Sequence, residues 1–210
     1  MFSIYVLKIP YDTDGQAVLQ KLAPFISKRA RAANPRVKLM SVCGEALARH
    51  ALFEKYKIPT DTEFLYSDNG KPYLDCDDYF NISHSGELAV CAVGDKKVGI
   101  DVERLRTADM ALARRFFCES EIKYLDRLDG TEKNSEFTRI WTMKESYVKC
   151  SGMSIGSMLS KVAVDTKNMS AYDLSGEKLP YHFYPYTFEN YFLTICEKTL
   201  DFDVASTCML

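Results

Sequence analysis

The chain has 210 residues, 47% of them hydrophobic and 27% charged, enough to bury a core in one large domain or two small ones. Twenty-seven basic against twenty-nine acidic residues leave a formal charge of −2. No global attraction to nucleic acid or to an anionic membrane follows from that balance, so any anion site must be local.

Residues 2–8 (FSIYVLK) predict a strand, too short an apolar run for a secretory signal, and nothing in the chain approaches the ~20 apolar residues of a membrane span. Helical periodicity covers 14–33 and 37–56, interrupted by Pro24 and by Asn34-Pro35. Short strands are expected at 62–66, 79–83 and 87–93, and SDNGKP at 67–72 has the turn chemistry of a hairpin connection. Next, KKVGIDVER at 96–104 alternates strictly, with Val98, Ile100 and Val102 on one face and Gly99, Asp101 and Glu103 on the other. Helices are expected at 107–117, 119–127 and 132–150, and strands at 160–166, 181–186 and 191–196. The order of strand, helices, then antiparallel strands occurs twice. It predicts an α+β fold of two halves, 1–99 and 100–210, each a small, mainly antiparallel sheet packed with a long helix. Seven scattered cysteines without a C-x-x-C pair suggest reduced thiols in a cytoplasmic protein, not a zinc site or a disulfide framework.

Asp101 and Glu103 are two apart on a strand, so their carboxylates leave the same face, with Gly99 beside them opening space. Like charges this close raise each other's pKa unless a cation lies between them, and a hard divalent ion such as Mg²⁺ fits. The same spacing also suits ordinary acids on an exposed strand face. In FTRIWTMKESYVK, 137–149, charged Lys144, Glu145 and Lys149 interrupt an apolar helix. Glu145 and Lys149, four apart, make either a surface salt bridge of about 0.3–0.5 kcal/mol or, on one stripe with Trp141, a half-buried acid and base in a cleft. In FNISHSG, 80–86, a strand ends in Ser83, His84, Ser85 and Gly86, a turn that offers hydroxyls, an imidazole and N–H groups to an anion. The alternative is a histidine that simply bonds a backbone carbonyl. GKP at 70–72 puts Lys71 on a tight turn, and KRARAANPRVK at 28–38 is a basic block suited either to solvent or to a phosphate-rich ligand.

Taken in order and spacing, GKP, FNISHSG, VGIDVE and WTMKESYVK resemble the 4′-phosphopantetheinyl transferases, in particular the surfactin-synthetase-activating type, over roughly residues 25–155. The resemblance implies a monomeric, pseudo-twofold enzyme of two similar α+β halves that binds coenzyme A and Mg²⁺ (or Mn²⁺) in the cleft between them. Such enzymes transfer the phosphopantetheine arm of coenzyme A to a serine of an apo acyl or peptidyl carrier protein, releasing adenosine 3′,5′-bisphosphate. Carried over by position, Asp101, Glu103 and Glu145 match the metal ligands, Glu145 also the base, and Lys149 the lysine that neutralises the pyrophosphate. Lys71, Pro72, Ser83 and His84 match contacts to coenzyme A, and Lys28, Arg31 and Ser41 fall near its 3′-phosphate contacts. Glu145 and its neighbouring lysines are thus expected to line a cleft that the helix also walls. Because carrier proteins of this class present an acidic helix, Arg114, Arg115 and Phe116 are a candidate docking patch, though ordinary helix packing also accounts for Phe116. Departures are Gly152-Met153-Ser154-Ile155 where relatives have Gly-x-Gly-Leu, and Phe117-Cys118 where a cap hydroxyl is usual, with Glu121 still in capping-box position. A Mg²⁺-dependent phosphohydrolase of coenzyme A or nucleotides, or a non-catalytic module that binds coenzyme A or a carrier, are the alternatives. No nucleic acid or membrane partner is expected.

Overall fold

In the computed structural model, which describes residues 2–22, 34–67, 70–75, 79–153 and 159–198, Asn34 and Pro35 start a helix instead of interrupting one. Asn34 is the N-cap of α2 (Pro35–Tyr56): its side chain accepts from the N–H groups of Arg36 and Val37, and Pro35 takes the first helical position, where no N–H is needed. The preceding helix, α1, covers Gly15–Leu22, and the rest of the predicted 14–33 pattern lies outside the described residues.

Around these helices run β1 (Phe2–Lys8), the short pair β2 (Leu65–Tyr66) and β3 (Pro72–Tyr73), β4 (Tyr79–Ser85) and β5 (Leu88–Gly94). The chain continues with β6 (Val98–Arg104), which runs across the expected 99/100 boundary, then α3 (Met110–Phe116), α4 (Glu119–Leu125) and α5 (Gly130–Ser151). It ends with β7 (Val162–Asp165), β8 (Ser170–Asp173), β9 (Tyr181–Phe188) and β10 (Tyr191–Lys198). Two elements, β3 and β8, were not expected from the sequence. Both are too short to carry a period.

The two principal sheets have the same order, β1-β5-β4 and β6-β10-β9, with every neighbour antiparallel. Each is covered by one 22-residue helix, α2 or α5. Leu47, Ala48, Ala51 and Leu52 of α2 meet Phe80, Cys91 and Val93 on one face of the first sheet. Phe137, Met143 and Tyr147 of α5 meet Phe183 and Cys196 on one face of the second. The remaining faces pack on each other, Leu88, Val90 and Ala92 against Val98, Ile100, Val102, Leu193 and Ile195. Burying such side chains is worth about 1.5–3 kcal/mol each, so the interface between the halves is a core in its own right.

The seam between β4 and β6 is made by side chains. Asn81 Oδ1 accepts from the N–H of Ile100 at 2.8 Å, Ser83 Oγ from Val102 at 3.3 Å, and Ser85 Oγ from Arg104 at 3.2 Å. This corrects the reading of FNISHSG as a strand that stops at a hydroxyl-bearing turn. Its backbone pairs with β5 as far as Ser85, opposite Leu88, and the turn begins only at Gly86, whose φ of 58° suits glycine.

Candidate active site

Gly99 determines how close α5 comes to β6. A Cβ built on it would lie 2.0 Å from the carbonyl oxygen of Ser146 and 2.5 Å from the backbone nitrogen of Cys150. The space that glycine opens is therefore filled by the helix itself, which rests directly on the strand. That approach brings Glu145 and Lys149, one turn apart on α5, over the Asp101–Glu103 face of β6.

There the Lys149 ammonium donates to Asp101 Oδ1 at 2.6 Å and to Ser83 Oγ at 3.1 Å. Ser83 Oγ in turn donates to the same Asp101 oxygen at 2.8 Å. Ser85 Oγ donates to Glu103 Oε2 at 2.8 Å. Asp101 is buried, and its second oxygen, Oδ2, has no hydrogen-bond partner among the described residues. Glu145 is 8% exposed. Burial, then the charges of Asp101 and Glu103, push its pKa up to about 7 against the opposing pull of Lys149. Glu103 is raised as well, by burial first and Asp101 second, with its bond to Ser85 and the charges of Arg106 and Lys149 working the other way. The three carboxylates thus repel one another through a partly dry site where, among the described residues, Lys149 alone makes a direct ion pair.

This donor set suits a hard divalent cation, which takes oxygen ligands, and the orphaned Asp101 Oδ2 is an acceptor left over for one. As placed, no three His, Cys, Asp or Glu side chains among the described residues already close around a point, and the Lys149 ammonium holds one Asp101 oxygen. The residues fit such an ion in chemistry and charge, with the lysine as the cation that meets Asp101.

Around this centre, His84 Nε2 lies 3.2 Å from Ser41 Oγ on α2, and burial followed by the Lys149 charge lowers the imidazole pKa below its ordinary value. Lys71 reaches across from the loop before β3 and donates to the carbonyl of Lys149 at 2.6 Å. Burial lowers its pKa too. Pro72 opens β3. A cavity of about 300 Å³ opens beside them, with Lys71, Tyr73, Tyr79, Lys97, Cys150 and Gly152 among its lining residues. Lys28 and Arg31 lie outside the described residues, as do Ser154 and Ile155. Arg114 and Arg115 are exposed on α3, while Phe116 is half-buried and meets Trp141 edge-on at 6.0 Å, with the Arg115 guanidinium 5.0 Å from its ring centre.

Lys144 is a correction. It does not line the cleft with Lys149 but turns into the second half's core, where it is 1% exposed. Its ammonium pairs with Glu121 Oε2 at 2.9 Å and donates to the carbonyls of Leu159, at 2.6 Å, and Val162. Glu121 also accepts from the N–H of Cys118 at 2.7 Å and of Val164 at 2.8 Å, so the return arm of the capping box survives without a cap hydroxyl. Sequence reasoning gave Asn81 no role and read Ser85 only as a turn hydroxyl for an anion, not as a partner of Glu103. A signal existed: 81, 83 and 85 share the two-residue period of 101 and 103.

Comparison with known proteins agrees with the family resemblance. The family model of the 4′-phosphopantetheinyl transferase superfamily matches residues 97–196. The 4′-phosphopantetheinyl transferase gsp of Aneurinibacillus migulanus is 32% identical over 204 residues, 93% of this chain and 86% of that protein. The 4′-phosphopantetheinyl transferase psf-1 of Bacillus pumilus is 33% identical over 190 residues, 87% and 80% of the two chains. The 4′-phosphopantetheinyl transferase HetI of a Nostoc species is 35% identical over 169 residues, 74% and 71%.

Proposed function

Because the chain belongs to the 4′-phosphopantetheinyl transferase superfamily, we propose that it transfers the 4′-phosphopantetheine group of coenzyme A to a serine hydroxyl of an apo carrier protein in a Mg²⁺-dependent reaction. Adenosine 3′,5′-bisphosphate is the leaving product. The observation that carries this reading is the meeting of Asp101, Glu103, Glu145 and Lys149 where α5 rests on β6, at the junction of the two halves. In this reading residues 1–99 supply the coenzyme A side and residues 100–210 the acids and the catalytic helix of a monomer.

Asp101, Glu103 and Glu145 hold the cation. A divalent cation held by these carboxylates would supply positive charge to the pyrophosphate oxygens. Lys149 carries the second positive charge. Held at 2.6 Å from Asp101, it stands beside the acids proposed to hold the cation. Lys71 and Lys97 give the neighbouring cavity donors for phosphates, its tyrosines offer faces for a base, and the half-buried His84 stands on β4 as a further donor. Pro72 stiffens the strand beside it. Ser41, with Lys28 and Arg31, serves the 3′-phosphate. Glu145 takes the proton of the carrier serine. Burial beside Asp101 and Glu103 raises its proton affinity above that of an ordinary carboxylate. The attacking hydroxyl belongs to the partner, so no nucleophilic triad is required of this chain. Arg114 and Arg115 on α3 receive the acidic helix of the carrier, with Phe116 beside them.

Among the described residues no helix is long and apolar enough to cross a membrane. A cytoplasmic setting is part of the proposal. The test is direct: incubate the chain with coenzyme A, Mg²⁺ and an apo carrier protein and weigh the carrier intact. A gain of one phosphopantetheine group, abolished by EDTA, is the expected result. An unmodified carrier with coenzyme A hydrolysed indicates a phosphohydrolase, and an unmodified carrier with intact coenzyme A indicates a binding module.

A further inference from the structure

The β4–β6 seam contains the same two-bond clamp twice. Ser83 Oγ accepts from the N–H of Val102 and donates to Asp101; Ser85 Oγ accepts from the N–H of Arg104 and donates to Glu103. In each case the serine grips the acid's carboxylate and the backbone immediately after it. The separation is eighteen residues for both donor bonds, at 2.8 Å each. The repeat follows from geometry: β4 and β6 both present every second side chain to one face, so one matched pair brings the next into register.

A hydroxyl has one proton and two lone pairs. Because its acceptor side takes the strand N–H, each serine's proton is directed at the carboxylate. Glu103 has three side-chain torsions, and a free glutamate samples many rotamers. Ser85 holds its Oε2, which leaves Oε1 as the oxygen not engaged by Ser85. We infer that Ser85 is a positioning residue for the divalent cation: by fixing Glu103 through Oε2 it presents the other carboxylate oxygen to the ion shared with Asp101 and Glu145. Ser83 does the same for Asp101, but it also touches Lys149, so its substitution reads out two effects at once. Ser85 isolates the clamp.

The inference rests on the proposal that Glu103 is a metal ligand, and a double-mutant cycle separates the two. Mn²⁺ is titrated into the full chain in the presence of saturating coenzyme A, and the free-ion electron paramagnetic resonance signal is followed. The parent, Ser85→Ala, Ser85→Thr, Glu103→Gln and the Ser85→Ala/Glu103→Gln double variant are compared, each with a thermal melt. Ser85→Ala is expected to weaken Mn²⁺ binding on the order of tenfold, the scale of one hydrogen bond to a charged acceptor. Ser85→Thr, which keeps the hydroxyl, is expected to restore most of it. In the Glu103→Gln background the Ser85→Ala change is expected to cost nothing further. If Glu103→Gln weakens Mn²⁺ binding and Ser85→Ala does not, the positioning role is overturned while the metal reading stands. If Glu103→Gln itself leaves Mn²⁺ binding unchanged, Glu103 is no ligand and both fail. Equal losses for Ser85→Ala in the two backgrounds, accompanied by a lowered melting temperature, mark a purely structural role and also overturn the inference.

Discussion

Substituting Gly99 by alanine adds one methyl group at the point where α5 rests on β6. Its carbon would stand 2.0 Å from the Ser146 carbonyl oxygen, 2.5 Å from the Cys150 nitrogen and 3.0 Å from the Cys150 Cβ. Real contacts of this kind are essentially never closer than 3.0 Å, and two of the three obstacles are backbone, which cannot rotate away. The helix must therefore retreat by about 1 Å at least, the difference between 3.0 and 2.0 Å. Overpacking of this sort costs about 1–3 kcal/mol, a fall in melting temperature of roughly 2–12 °C for a chain this long. The functional loss is larger. A 1 Å displacement opens the 2.6 Å contact of Lys149 with Asp101 and carries Glu145 off with it, and misplacement on that scale is worth about 10²-fold in rate. The assay is carrier modification followed by mass spectrometry under initial-rate conditions, with a thermal melt on the same preparation. Gly94→Ala is the control. There the new methyl would stand 3.4 Å from the Phe2 Cβ and 3.6 Å from the Lys96 carbonyl oxygen, ordinary van der Waals contact, so turnover is expected within about threefold of the parent. A Gly99→Ala variant that melts lower yet turns over at the parent rate refutes the idea that this approach sets the catalytic geometry.

Glu145→Gln, nearly the same shape, is expected to lower turnover by about 10²–10⁴-fold while leaving the coenzyme A dissociation constant within about tenfold, measured by calorimetry. Turnover within tenfold of the parent removes Glu145 as the base. Lys144→Met leaves Glu121 buried without its cation and is expected to cost about 3–5 kcal/mol in urea unfolding; a loss below about 1 kcal/mol contradicts the pairing. Charge reversal at Arg114 and Arg115 is expected to raise the apparent KM for the carrier severalfold and leave that for coenzyme A unchanged. Unaltered carrier kinetics place the docking surface elsewhere.

The acids of the site were legible because their spacing matches the element that carries them: two apart on a strand for Asp101 and Glu103, four apart on a helix for Glu145 and Lys149. What approaches them from elsewhere in the chain was not. Gly99 reads in sequence as room, whereas its missing side chain is the seat of a helix that begins thirty-one residues later. Lys144 neighbours Glu145 but points about 100° around the helix from it, toward Glu121, and nothing local names that partner. Ser83, His84, Ser85 and Gly86 have turn composition, yet the apolar run of β5 pairs with the first three and extends the strand to Ser85. The fold itself was more legible, since an apolar strand such as β5 and a 22-residue helix announce themselves by period and length.

The matched family model begins at residue 97, with β6, and so leaves out β4. Yet Asn81, Ser83 and Ser85 of β4 take the N–H groups of Ile100, Val102 and Arg104, and two of them hold the carboxylates of Asp101 and Glu103. Without the first half, those N–H groups would lose their partners, and Val98, Ile100 and Val102 would lose Leu88, Val90 and Ala92 from their shared core. The second half contributes all three acids, but the first half fixes the orientation of two. Joining the halves and arming the site are therefore one event. Anything that loosens the β4–β6 seam acts on the carboxylates as well, because the serines that close the seam also hold them.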